Sequence, residues 1–438
     1  MSDRTDAGTN RPQPTTDPNA AALSRRQLLA RSGLASAALL VTAGSGVAGA
    51  GPIGSDPAGA ATPSETPINT PVVPFFGTHQ AGIVTPEQSR MVFAAYDLTL
   101  GDRAALAGLL AQWTRAAEEL TAGREISGPS GPFLPPSDTG EALGLGPSRL
   151  TLTVGFGSTM FDGRFQLQHR RPAALVDLPQ FAGDDLDPSL TGGDVCIQAC
   201  ADDPQVAFHA VHNLTRTAEG AATLRYLEVG FGRTAASAVG QSTPRNLLGF
   251  HDGTDNLVAA DQQAMDRFVW VGSETDQPWM VGGTYLVARR IRIHLEAWGR
   301  STLEDQQNTI GRVKASGAPL GGTSERDPVD LDAVGDYGQS VIPESAHIRV
   351  AAPGSNDGQA LLRRGYSFAD GMDPESGELD AGLYFICFQK DPRNQFIPIQ
   401  RRLTENDALS QYLLPTGGGI FACPPGPAPG RTWGQALF

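Results

Sequence analysis

The chain has 438 residues, 40% of them apolar and 18% charged, with a formal net charge of −14. That length and apolar fraction suffice for one large or two medium globular domains. The acidic balance repels a phosphate backbone and so excludes nucleic acid as a partner.

In chain order, Ser24-Arg25-Arg26-Gln27-Leu28-Leu29 comes first, followed by a mildly apolar run from Leu34 to the small-residue stretch Ala48-Gly49-Ala50. Two arginines before such a run predict a twin-arginine export signal over residues 1–50. The run carries Gly, Ser and Thr and is too polar for a spanning helix. Residues 51–74 are dominated by Pro, Gly, Ser, Thr and Ala and predict a flexible linker. No later stretch is long and apolar enough for a stable membrane span. The expected location is the periplasm, the cell wall or the extracellular space. This route carries folded cargo, so a cofactor can travel with it.

Met91 to Thr99 alternates as a strand. Asp102 caps a helix to about Thr121, with Leu106, Leu109, Leu110, Trp113, Ala117 and Leu120 on one face and Gly123 as the stop. Leu150–Phe156 and Asp194–Ala199 read as strands, Asp203-Pro204 opens a second helix, and Thr223–Phe231 is a strand. The order β-α-β-β-α-β is the ferredoxin-like pattern, expected over residues 75–235. A similar order is expected over 245–438. It comprises a strand from Thr284 to Trp298, a helix from Ser301 to Lys314 with Glu304 completing a capping box, and strand-like positions at Ile348 and Leu361. A strand at Leu383–Gln389, a helix around Glu405–Leu413 and a closing strand at Ile420–Cys423 follow. Ala318–Pro343 is rich in Gly, Asp and Pro and reads as a surface excursion. Two sheets meeting across an interface would leave a crevice for a ligand.

Four cysteines remain in an exported chain, where disulfides are permitted. On one strand Cys196 and Cys200 lie about 13 Å apart, too far to bridge. Cys387 and Cys423 could pair if their strands were adjacent; buried free thiols are the expectation. No C-x-x-C-H is present, which excludes covalent c-type haem attachment.

The residues with chemical potential cluster late. Gly249-Phe250-His251-Asp252-Gly253-Thr254-Asp255-Asn256 places an acid between glycines. Taken alone, Asp-Gly is better read as a turn between strands. Of seven histidines, His209 and His212 sit three apart on a helix without a third ligand nearby. His294 and His169 have structural or surface readings, and His251 adjoins Asp252. His347 lies between a Pro343 loop and the apolar Ile348–Ala352 segment, where an imidazole can enter a pocket. Arg363 and Arg364 would point to opposite faces of a strand.

Taken together, Gly249–Gly253, the stretch from Gly193 to Gln205, Glu344-Ser345-Ala346-His347-Ile348-Arg349 and Leu362-Arg363-Arg364-Gly365-Tyr366-Ser367 resemble the dye-decolourising peroxidase family. The likeness is to its twin-arginine-exported branch and runs from about Gln80 to the C-terminus. It implies an α+β fold of two ferredoxin-like halves, of the dimeric α+β barrel type, with non-covalent haem b in the C-terminal half. By this resemblance His347 is the proximal iron ligand, Asp252 the acid–base group and Arg363 the stabiliser of negative charge. Gly253, Thr254 and Asp255, together with Ala352, Pro353 and Gly354, are implied haem contacts, and Arg289 a propionate partner. Many relatives outside this branch carry Asn two residues after the arginine; this chain has Gly365. The implied activity reduces hydrogen peroxide and oxidises dyes and phenols by one-electron steps, at the haem edge or through an aromatic such as Trp298, Trp279 or Tyr366. The alternative is a haem-handling or ferrous-iron-oxidising protein of iron uptake, with iron-uptake components as partners. An oligomer is compatible with either.

Overall fold

The computed structural model describes residues 71–129, 131–235 and 243–438. The expected signal and the linker as far as residue 70 lie outside these. From Arg90 the order is β1 (Arg90–Leu98), α1 (Arg103–Thr121), β2 (Thr151–Gly157), β3 (Val195–Ala201), α2 (Pro204–Thr217) and β4 (Ala222–Arg233). Asp102 accepts a bond from the Ala105 amide to start α1, and Asp203 with Pro204 starts α2. The apolar stripe of α1 packs on the outer face of these strands, and Trp113 Nε1 donates to Leu214 O at 2.8 Å, tying α1 to α2. Each fully buried large side chain of this kind contributes about 1.5–3 kcal/mol.

The second half comprises α3 (Gln262–Phe268), β5 (Thr284–Ile293), α4 (Leu295–Arg300), α5 (Leu303–Ile310), α6 (His347–Ala351), β6 (Leu362–Arg363), β7 (Tyr366–Met372), β8 (Leu379–Gln389), α7 (Phe396–Asn406) and β9 (Leu413–Cys423). All strands join one antiparallel sheet, ordered β5-β9-β2-β3-β1-β4-β7-β8, and the β5–β8 pairing closes it into a ring. β6 extends β7 on β8 in the same register, with Arg363 opposite Cys387 and Tyr366 opposite Tyr384. Met91, Phe93, Ala95, Tyr226, Tyr366 and Tyr384 pack together inside the ring. Their neighbours Val92, Ala94 and Tyr96 pack outward under the helices, as strand alternation requires. The ligand space is therefore not a crevice between two sheets. It lies on the outer face of the C-terminal strands, where Leu383 and Phe385 flank inward-pointing Tyr384.

Several local expectations shift. The strand from Thr284 ends at Ile293, and Trp298 sits on helix α4. There its indole donates to Leu248 O and packs against Phe250 and Tyr412, so tertiary contact ends the strand. The cap of α5 is Thr302 with Asp305, one residue past the expected Ser301 and Glu304, because Ser301 bonds the Tyr412 hydroxyl. Ile348 lies in helix α6 rather than near a strand, its side chain fitted against Gly311. The helix expected at Glu405–Leu413 begins at Phe396 and ends at Asn406. Pro398 stands in its first turn, where no amide donor is needed. β7 and α3 were not foreseen. All four cysteines are buried free thiols; Cys387 and Cys423 are on strands that flank β5 from opposite sides.

Candidate active site

The outer face of β5, β7 and β8 forms one wall of a cavity of about 1050 Å³, at the upper end of the roughly 300–1,000 Å³ usual for ligand pockets. Ile291, Ile293, Leu383 and Phe385 make that wall largely apolar, with Ser367 the polar exception among them. The opposing walls come from the loop after Pro244, from helices α6 and α7, and from the long excursion around Glu325. Asp252, Gly253, Thr254, Asp255, His347, Ala352, Pro353, Gly354 and Arg363 all line this space.

His347 opens α6, and its ring is 34% exposed, towards the cavity. Its Nδ1 donates to Asp407 Oδ2 at 2.6 Å. The Asp407 side chain is 2% exposed, and its other oxygen accepts from the Leu409 amide, so the carboxylate is held on two sides. This arrangement fixes the proton on Nδ1 and leaves the Nε2 lone pair for a ligand. Burial pulls the imidazole down, but the Asp407 carboxylate outweighs it and the group titrates above its ordinary value.

Asp252 is presented by a sharp turn in which Gly249 and Gly253 take φ of +83° and +78°, a region that favours glycine. The Asp252 amide donates to Pro244 O, its Oδ2 accepts from Asn246 Nδ2 at 3.0 Å, and its Oδ1 accepts from the Gly253 amide at 2.8 Å. Arg363 Nη1 reaches Oδ1 at 3.2 Å. The Asn256 side chain clamps the Arg363 backbone on both sides, accepting from its amide and donating to its carbonyl at 2.9 Å each. Arg364 points into the ring, fully buried, and bonds Thr85 O and Gln88. The strand alternation that separates the two arginines is thus realised. A chemical site results: a basic imidazole nitrogen and a carboxylate–guanidinium pair open on one largely apolar chamber.

Models of the N- and C-terminal parts of Dyp-type peroxidases together match most of the sequence, so the chain belongs to the Dyp-type peroxidase family.

The N-terminal family model matches residues 80–232 and the C-terminal model residues 243–428. A deferrochelatase of Yersinia pestis is 39% identical over 429 residues, 94% of each chain. The crystal structure of a DyP-type peroxidase from Streptomyces coelicolor has a TM-score of 0.78 at 40% identity, covering 86% of this chain and 99% of that one. Ferric DtpA from Streptomyces lividans has the same TM-score, identity and coverage. The enzyme is accordingly a haem-dependent oxidoreductase of the Dyp type.

The remaining residues singled out from sequence fall elsewhere. Arg289, expected at a propionate, is not among the residues lining the cavity; it is buried, paired with Asp184 and stacked over Phe181. His209 and His212 pin a surface loop through Asp138 and Glu141 at 2.7 and 2.5 Å. His294 pairs with Glu378. Among the described residues no group of three metal-capable side chains assembles. Trp298, Trp279 and Tyr366 are 3%, 3% and 0% exposed, so none offers a surface contact to a reductant. Sequence reasoning missed Asp407, Asn246 and Asn256. Asp407 carries a visible signal, a cap of the short turn Ala408–Tyr412, but nothing local joins it to His347 sixty residues earlier.

Proposed function

We propose that this chain binds haem b non-covalently in the cavity through Nε2 of His347, and that it uses hydrogen peroxide to oxidise bulky aromatic reductants such as dyes and phenols. The carrying observation is the opening of the His347–Asp407 pair and the Asp252–Arg363 pair onto the same chamber. The donor set fits the group: an imidazole nitrogen facing the chamber, largely apolar walls for a macrocycle, and glycine-permitted close approach at Gly253. Ala352-Pro353-Gly354 and Gly253-Thr254-Asp255 would contact the ring. When bound, haem supplies an iron that exchanges electrons with peroxide and with one-electron reductants.

The chain's own residues do the rest. Asp407 holds the His347 tautomer and raises its basicity. Asp252 takes the proton from one peroxide oxygen and delivers it to the other. Arg363, permanently charged, offsets the negative charge that develops as the O–O bond breaks. Asn246 aims the carboxylate, and Asn256 fixes the backbone from which Arg363 extends. Purified haem-loaded protein should show a ferric Soret band and peroxide-dependent dye oxidation. His347→Ala should lose most of its haem while His209→Ala keeps it; the reverse pattern would reject the ligand assignment.

The deferrochelatase name of the Yersinia relative favours a second reading, release of iron from haem held by the same His347. Appearance of fluorescent metal-free protoporphyrin, with dye oxidation absent, would select it. Arg25 and Arg26 support export by the twin-arginine route. Among the described residues no helix is long and apolar enough to cross a membrane. The double substitution Arg25→Lys with Arg26→Lys should leave folded protein in the cytoplasm, and normal export of that variant would reject the route.

A further inference from the structure

Among the described residues two imidazoles line the cavity, and the reading above uses only His347. The other is His251, on the turn that presents Asp252. Its Nδ1 lies 3.2 Å from Thr243 Oγ1 and 3.4 Å from Glu325 Oε2. The Thr243 hydroxyl donates to Glu325 Oε1, and Thr254 Oγ1 donates to the same oxygen at 3.0 Å. With its own proton committed to Glu325, Thr243 Oγ1 can only accept from His251. The ring proton therefore sits on Nδ1, where Glu325 Oε2 also draws it, and Nε2 keeps its lone pair. No described residue bonds Nε2.

The fold holds this pair at the cavity wall. Glu325 comes from the long excursion and His251 from the loop after Pro244, and both line the chamber. Gly317 takes φ +75°, and a Cβ there would lie 3.0 Å from Glu325 Cγ and 3.2 Å from His251 Cδ2. That close fit fixes both side chains, yet each stays 21% exposed. Burial pulls the Glu325 carboxyl up, but the Thr243 and Thr254 hydroxyls, with His251 and Arg326 behind them, outweigh it and hold the group below the usual carboxylate range. An ionised carboxylate beside Nδ1 stabilises the imidazolium that forms when Nε2 takes a proton.

Phenol oxidation asks for such a base. A neutral phenol that gives up an electron alone becomes a strongly acidic radical cation. Passing its O–H proton to a base as the electron leaves avoids that species. Resting on the peroxidase reading above, we infer that His251 is the proton acceptor for phenolic reductants in the cavity, with Glu325 and Thr243 as its positioning residues. One phenol O–H bond breaks. Its proton goes to Nε2 of His251, one electron goes to the enzyme that peroxide has oxidised, and a phenoxyl radical leaves. Asp252 serves the peroxide half of the cycle, so neighbouring residues serve the two halves.

The test measures kcat/KM for three reductants at saturating peroxide, in haem-loaded wild type, His251→Gln and Glu325→Gln. Guaiacol must lose a proton, a dichlorophenol is already ionised at a mildly alkaline assay pH, and ferrocenemethanol gives up an electron alone. His251→Gln should lower the guaiacol value by about 10²-fold or more, and Glu325→Gln by about 10- to 100-fold. The other two reductants should lose far less. Haem content and the stopped-flow rate with peroxide report on neighbouring Asp252. If His251→Gln disturbs either, Glu325→Gln on the excursion carries the test. An undiminished guaiacol value overturns the proposal. So does an equal loss for all three reductants, which would make the pair only a clamp for the excursion. If wild type oxidises none of the three, the peroxidase reading itself fails; oxidation of ferrocenemethanol without guaiacol defeats the His251 assignment alone.

Discussion

The two halves of the ring use one architecture for opposite ends. In the N-terminal half, helices α1 and α2 fill the outer face of the strands, with Leu106, Leu110, Trp113, Val206 and Ala210 packed against Val92, Ala94 and Ile197. In the C-terminal half the equivalent face is left open, and Ile291, Leu383 and Phe385 border about 1050 Å³ of cavity instead. Close packing accounts for stability in the first half. The second forgoes that contact and recruits a polar scaffold, buried Asp407 with half-buried Asn246 and Asn256, to hold the groups the chamber needs. A fold repeated twice can thus divide its labour, one copy rigid and one copy hollow.

The contrast between the halves breaks most visibly at the Asp252–Arg363 pair. Asp252→Asn should slow the reaction with peroxide by about 10²–10⁴-fold, and Arg363→Leu by about 10²–10³-fold, both with haem retained. Stopped-flow absorbance at the Soret band reads this, and wild-type rates in both variants would move the chemistry out of the hollow half. The complementary change in the filled half is Trp113→Ala, which should cost about 3–5 kcal/mol of stability in denaturant melts. The haem spectrum of the folded fraction should not change.

Asp407→Asn sharpens the contrast between packing and aiming. It leaves the volume of the site nearly unchanged but should weaken haem affinity by about 10- to 100-fold, as measured by haem transfer to a competing apoprotein. An affinity unaltered by the change would mean that Nδ1 of His347 needs no carboxylate.

The smallest effect tests the ring interior that both halves share. Glu228 on β4 is buried against Arg290 of β5, and its carboxyl is pushed up to about 7, by burial first, with Arg290 opposing and Asp370 adding. The folded state then holds a proton that the unfolded chain has released above about pH 4.3. Stability contributed by the protonated form is full below that value and is lost as pH rises through about 7. Glu228→Gln cannot ionise, so its stability relative to wild type should improve between pH 5 and pH 8, on the order of 1 kcal/mol. Parallel pH profiles for the two proteins would contradict the placement of this acid.

Much of this was legible from residue patterns because the signals are local. Asp102 and Asp203 cap their helices, and the β-α-β-β-α-β order of the first half follows from periodicity and caps a few residues apart. In the second half local signals compete with distant ones. Trp298 carries the residue type of a strand but is drawn onto a helix by Leu248, Phe250 and Tyr412. Pro398 hides the true start of α7, because the same residue that breaks a helix interior is tolerated in its first turn.

At the site, sequence determined which side chains could do the chemistry: a carboxylate between glycines, an imidazole before an apolar turn, and two arginines that alternation must send to opposite faces. Their company came from the fold. Asp407 meets His347 across sixty residues, Asn256 clamps Arg363 across 107, and Asp184 rather than the cavity claims Arg289. Spacing along a chain reports neighbours within a helical turn or a strand pair. Which cation is matched by a buried carboxylate and which is left facing a chamber depends on how the closed ring brings its strands and loops together, and that is decided only by tertiary packing.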